Sequence, residues 1–484
     1  MTRPSRRRAI LFAAAGAALT YVAGTAAAHT MVTPYDLPIP FSGYLSACAA
    51  TLLLTFAVLW LAPIDTGESK GSPGVGMKLN KAIPWVGRAG AIALLGVTVA
   101  AGLFGTPSPV ANIGPTLFWV AFMLVLTAIT ALAGDVFQIV NPWRALLEIF
   151  DIGGRPRLQY PGFLAYWPAF AFYVALEWLE LIAPPRPSIL SMALILYTGL
   201  TACGAALFGR EAWLQRAELF EVFFRTVGTM APLTYVRAHS GTRLVWSAYW
   251  RPAFSGALEH PPSDLSLVLF VLFMLAATTF DGVWQTSFWA ELYWGNLMQW
   301  LRPLWGDDMA RAQAFLAPGY LVYQRGGLIA APFVYLAIYM AVMATVRVVA
   351  GGQHTTRMLS LRFAFALVPI AVAYLLAHSL TVILTVLPVV PFLLTDPFGF
   401  GWNLLGLPLM SAEPGSLKIG GIWHAEVALI LAGHVASVYV AHIVALRVVA
   451  TRRQAWLCEL PLLVLMICYT FVGLAVLSLP LALH

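Results

Sequence analysis

Charge is what this sequence has least of. Only 10% of its 484 residues are Asp, Glu, Lys or Arg, against roughly 25% in ordinary soluble domains. Hydrophobic residues make up 60% and the mean hydropathy is +0.80. A chain so poor in polar surface cannot cover itself in water, which excludes the soluble globular classes and leaves the lipid bilayer as its solvent. Cysteine is also scarce. The four thiols, Cys48, Cys203, Cys458 and Cys468, lie in apolar runs and form no CxxC pair, which argues against a disulfide framework or a thiolate metal centre and for reduced thiols. Beyond the first eight residues there is no block of basic side chains. The net charge of +7 is scattered over short loops, the pattern of a membrane topology signal and not of a nucleic-acid-binding face.

Long apolar runs are abundant. Segments of spanning length fall near 41–62, 89–106, 115–135, 160–182, 189–208, 264–281, 327–347, 363–388, 422–446 and 456–482. They predict an all-α polytopic transmembrane bundle of about ten spans forming one domain over 29–484. If the loop 63–88 faces the cytoplasm, nineteen Lys and Arg fall on that side and five on the other, a positive-inside bias. The leader MTRPSRRR, an alanine-rich run and Ala26-Ala27-Ala28 read as a cleavable signal peptide over 1–28; retained, it would be an eleventh helix. Cleavage makes His29 the first mature residue, with the mature N-terminus and the C-terminus both periplasmic in a bacterial inner membrane. Residues 209–230, with REAWLQRAELFEVFFR, predict an amphipathic interfacial segment. Loops 282–326 and 389–421 are long and aromatic and predict ordered caps.

Ionisable groups inside a bilayer are costly and therefore candidates for function. His378 and His434 each sit midway along antiparallel spans and predict two imidazoles at one depth. His424 and Glu426 open the second of those spans. Asp281 ends the apolar run VLFMLAATTFDGVWQ, and Glu177 lies within FYVALEWLELIAP with Glu180 closer to water. The same side carries Asp396, Asn403 and Asn112; Asp135, Asn141 and Arg144 belong to the other, with Asp135–Arg144 read as a structural ion pair. His442 reads as a packing residue. The inventory is imidazole and carboxylate, the ligand type of a divalent zinc or copper ion. His29, His378, His434, His424 and Glu426 are the candidate ligands, with Glu177 and Asp281 as general base or orienting groups. A free α-amine at His29 would add a second nitrogen and suit copper(II). Two facing histidines alternatively suit the axial positions of haem b. Each residue also has a plain reading as a hydrogen-bonded packing or interface group.

The segments HTMVTPYDLPIP, ANIGPT, GDVFQIVNPWRAL, YPGFLAYWPAF, LFGREAWLQRAELFEVFF, TTFDGVWQ, RFAFALVPIAVAYLLAH, TDPFGFGWNLLG and GHVASVYVAH occur in an order that resembles the bacterial polytopic membrane proteins labelled fenitrothion hydrolase. The resemblance spans nearly the whole mature chain, although the glycine-rich outer loops of some members are shorter here. It implies hydrolysis of organophosphate triesters, a small apolar substrate and a second membrane subunit, and it brings no catalytic residues. In that reading a bound metal lowers the pKa of a water and polarises the P=O bond. Two other readings stay open: a haem- or copper-handling redox protein, and a transporter or assembly factor whose intramembrane histidines and carboxylates relay protons. The lipid bilayer is the one partner that composition alone requires, and nucleic acid is not among the expected partners.

Overall fold

In lipid every backbone N–H and C=O must be satisfied internally, so a chain this apolar folds as helices. The computed structural model describes residues 40–61, 76–80, 82–240, 243–284, 286–305, 308–407 and 419–478. Residues 1–28, expected as a signal peptide, and His29 and His484 lie outside these residues. In chain order the elements are α1 (Phe41–Leu61), β1 (Met77–Lys78), α2 (Ala82–Phe104), α3 (Ile113–Ala133), α4 (Pro142–Ile149), α5 (Trp167–Leu181), α6 (Pro187–Phe208), α7 (Arg210–Arg216) and α8 (Leu219–Gly228). There follow β2 (Leu233–Ser240), β3 (Arg243–Trp250), α9 (Leu265–Trp284), α10 (Ser287–Trp300), α11 (Met309–Val349), α12 (Thr356–His378), α13 (Leu380–Thr395), α14 (Ile419–Val448) and α15 (Arg452–Ser478).

Among the described residues nine helices are long and apolar enough to cross a membrane: α1, α2, α3, α6, α9, α11, α12, α14 and α15. The protein is an all-helical polytopic membrane bundle. The segment expected to span at 160–182 is the 15-residue α5, below spanning length by itself and packed against α8 and α9. Helix α9 is the centre: nearly all of it is buried, enclosed by α5, α11, α12 and α15. Leu53 and Leu54 on α1, Leu196 on α6 and Val334 on α11 are exposed, the outer belt that lipid covers. Helices α12 and α14 pack extensively against each other. A Cβ on Gly433 would lie 2.3 Å from the Ala373 Cβ and 2.8 Å from the Pro369 carbonyl oxygen, so only glycine permits this approach.

One face of the bundle carries a small antiparallel sheet in the order β1-β3-β2. Pairing runs from Leu233↔Trp250 to Ser240↔Arg243, and Met77↔Ala248 adds the edge strand. We call this the hairpin face. The stretch 209–230 lies here too. Expected as one interfacial segment, it divides into α7 and α8, and α8 is buried along its length apart from Arg225. The reason is its pattern: Leu219, Phe220, Val222, Phe223, Phe224 and Val227 wrap all sides of the helix, which suits a protein interior and not a lipid surface.

The motifs NPWRAL and REAWLQRAELFEVFF interlock at this face. Asn141 caps α4, accepting from the Arg144 amide, and its Nδ2 donates to Glu221. The buried Arg144 guanidinium donates to Glu221 at 2.8 Å and to Glu211 at 2.8 Å. Glu218 caps α8 by accepting from the Phe220 and Glu221 amides, and the Tyr197 hydroxyl donates to it. Arg88 and Arg237 share Glu148. At the opposite face the loops ANIGPT and TDPFGFG dock together. The Thr106 and Ile113 amides donate to the carbonyls of Phe398 and Pro397, and Asp396 accepts from the Phe400 and Gly401 amides. Gly399 has φ +69° and no room for a Cβ beside Thr106, so the motif needs glycine there.

The expected Asp135–Arg144 pair is not formed. Arg144 is taken by two glutamates, and Asp135 instead accepts from the Gln138 amide at 3.2 Å. Asp135 lies in the turn after α3, outside the spans. Burial, reinforced by Glu221, raises its pKa from 3.8 to about 7. The folded value is above the unfolded one, so its contribution to stability is full below 3.8 and is lost as pH rises to about 7. Asp135→Asn stays neutral. Its thermal stability should therefore vary less with pH than that of the wild type across this interval, the wild type losing ground as pH rises. Parallel curves would contradict the assignment.

Candidate functional site

Helix α9 brings Asp281 to its last turn near the opposite face, and α12 ends at His378, whose Nε2 lies 2.8 Å from Asp281 Oδ2. Gly282 allows this closeness: a Cβ there would meet Val476 at 2.2 Å and stand 3.8 Å from the His378 ring. The Trp284 indole also donates to Asp281. Glu177 and Glu180, from the last two turns of α5, act electrostatically on each other and on Asp281. Glu426 of α14 lies within electrostatic range of His378 and hydrogen-bonds Thr381. Asp281, His378, Glu177 and Glu426 are half-buried and Glu180 is exposed at the rim, so the cluster opens toward the opposite face.

Its charge is unbalanced. Asp281, Glu180 and Glu426 act on one imidazole and Glu177 acts on the first two of them, and among the described residues no Lys or Arg contributes to the environment of Glu177, Glu180 or Glu426. The Arg325 guanidinium of α11 lies over the Trp178 ring at 5.9 Å. Fully ionised, the cluster would hold a charge of −3 even with His378 protonated, four minus one. Carboxylates that share a partly buried site do not all ionise; they retain protons or gather cations.

His434 belongs to a different layer. Its Nδ1 bonds the Ile430 carbonyl at 2.8 Å and its ring packs on Tyr469 at 6.1 Å. The expectation that His378 and His434 share one depth is corrected by the Gly433 contact. That contact sets Gly433 level with Pro369 and Ala373. His378 is five residues beyond Ala373, so on the antiparallel α14 its counterpart is near Glu426. Two tyrosines intervene, with ring spacings of 6.4 Å for His378–Tyr374 and 5.9 Å for Tyr374–Tyr469. The pair therefore offers no facing axial ligands. His424 is exposed and hydrogen-bonds Tyr44 of α1 at 3.2 Å. Among the described residues no three of His, Cys, Asp and Glu form a group that would hold a metal ion.

Several polar residues of this interior escaped the sequence reading. Tyr335 donates to Thr279, which meets the Tyr469 hydroxyl at 3.0 Å. Nearer the hairpin face, His442 Nδ1 lies 2.9 Å and 3.0 Å from the two oxygens of Glu459, both residues almost fully buried. Glu459 stands inside the apolar run WLCELPLLVLM. The rule that singled out Glu177 would have found it, and would have moved His442 from packing residue to paired group. No known protein family, curated protein or solved structure matches the chain.

Proposed function

We propose that the protein binds and releases protons at the Asp281–His378 cluster, as the proton site of a membrane transporter. The observation that carries this reading is the excess of carboxylates around a single imidazole, where among the described residues no Arg or Lys contributes to the environment of Glu177, Glu180 or Glu426. Asp281 fixes His378 through Nε2, which leaves Nδ1, without a protein partner, to accept a proton. Glu177, Glu180 and Glu426 supply further proton-binding oxygens around the dyad. The basic loops gather at the hairpin face, and the positive-inside rule assigns that face to the cytoplasm of a bacterial inner membrane. The cluster then opens toward the periplasm.

The same dyad supports a second reading, the phosphotriester hydrolysis implied by the resemblance to fenitrothion hydrolases. An imidazole oriented by a carboxylate is a general base for water. An apolar triester dissolved in the outer leaflet would reach it sideways. A zinc or copper ion, or a second subunit, would have to complete a site that the described residues do not form alone.

Protonated carboxyls in apolar surroundings react with dicyclohexylcarbodiimide. Mass spectrometry of labelled protein should find the adduct on the cluster, on Glu177, Asp281 or Glu426, falling as pH rises and undiminished in His378→Ala, which removes the cation that favours the ionised carboxylates. Absence of adduct on all three across the pH range would overturn the proton reading. For the second reading the measurement is nitrophenolate release from an apolar aryl phosphotriester in vesicles. Release abolished by His378→Ala supports it, and no release by the wild type removes it.

A further inference from the structure

Three histidines in this bundle share one arrangement. In each, one ring nitrogen is fixed by an oxygen acceptor and the other has no partner among the described residues. His378 is held by Asp281, His434 by the Ile430 carbonyl and His442 by Glu459. The nitrogens left over are His378 Nδ1, His434 Nε2 and His442 Nε2. A held N–H leaves the far nitrogen as a lone-pair acceptor, the form that takes up a proton. His434 and His442 are 1% and 2% exposed. Between them on α14 stands Ser437, fully buried, its hydroxyl also without a protein partner. The Tyr374 hydroxyl, buried between His378 and Tyr469, is another.

Buried polar atoms without protein partners take up water or a ligand. These atoms occur in sequence along α12 and α14, from the cluster at the opposite face to the pair near the hairpin face. His442 is six residues from the end of α14, and Glu459 is seven from the start of α15. Both thus lie about 10 Å inside the hairpin face at the helical rise of ~1.5 Å per residue. His434 and His442 are about 12 Å apart along the axis by the same rise, a gap for water and the Ser437 hydroxyl to bridge.

We infer that His442–Glu459 and His434, joined through Ser437 and water to Tyr469, Tyr374 and the Asp281–His378 cluster, form a proton path across the whole bundle. This deepens the proton-site reading and rests on it. The transfer balances at each station. A proton entering from the hairpin face is taken up at His442 Nε2, with Glu459 holding the Nδ1 N–H and stabilising the imidazolium, and it leaves from the same nitrogen. It passes through water and Ser437 to His434 Nε2. From there the tyrosine hydroxyls and water hand it to His378 Nδ1, and Asp281, Glu180 and Glu426, which face that imidazole, release it. Tyr469 faces His434 and is followed by Tyr374, and Glu459 faces His442. No redox partner or other reactant is required.

The test uses the full chain in liposomes with a trapped pH-sensitive dye, a potassium gradient and valinomycin. Wild type should carry protons well above protein-free liposomes, and Glu459→Gln and His442→Gln should each lower the rate at least tenfold. Carbodiimide labelling of the opposite-face cluster should survive in both variants, which shows that they are folded and separates the two proposals. Labelling without wild-type flux, or flux unchanged in both variants, overturns the path and leaves the cluster reading standing. Loss of labelling in the wild type overturns the cluster reading itself. Should either pair variant fail to fold, Ser437→Ala, which removes a buried hydroxyl with no protein hydrogen bond, carries the same test with the same two outcomes.

Discussion

The structure is organised around unbalanced negative charge in a setting that penalises it. Asp281, Glu180 and Glu426 converge on His378 from α9, α5 and α14, with Glu177 beside them, and among the described residues no Lys or Arg contributes to the environment of the three glutamates. In water such a cluster would be unremarkable, because solvent would screen it. In the outer part of a bilayer, the free energy of ionising all of them is far larger than any single hydrogen bond returns. The cluster persists only by holding protons or cations, and that necessity links the architecture to a function.

The rest of the fold keeps these groups together. The Gly433 contact locks α14 against α12 and so sets Glu426 beside His378, with His434 a layer deeper. Gly282 does the same between α9 and α15. The two ends are stiffened by different chemistry. At the hairpin face, Arg144 and its glutamates tie α4, α7 and α8 into one buried ionic layer, a layer in which loss of one partner strands the other. At the opposite face, backbone hydrogen bonds dock the Asn112 loop on the Asp396 loop. The bundle is thus fixed at both ends around an interior whose polar groups lie along α12 and α14 and on the faces of α9, α11 and α15 that meet them.

The membrane class, the helical architecture and the positions of most spans were legible in the sequence, because hydropathy over about twenty residues reports on the bilayer directly. The hairpin was not: TYVRAHSGTRLVWSAYW alternates, but it lies in a long loop where span-finding has no purchase. The burial of α8 was missed because an amphipathic reading of its charges ignored apolar side chains on every side. In the candidate site, Asp281, His378, Glu177 and Glu426 stood out as ionisable groups in apolar runs, and the structure brings them together. The pairing of His378 with His434 could not be judged from depth counted along each helix, since the register between helices is set by where backbones touch. Glu180 was set aside as closer to water, and Glu459, inside the apolar run WLCELPLLVLM, was equally legible but went unnoticed.

The most direct test of the central claim is infrared difference spectroscopy of the purified protein across neutral pH, following the carbonyl stretch of protonated carboxyl groups. The account predicts a protonated-carboxyl band that persists at pH values where free carboxylates are ionised, and that is diminished in Asp281→Asn and in Glu426→Gln. A spectrum with no protonated carboxyl at neutral pH, or a band untouched by either substitution, would contradict it.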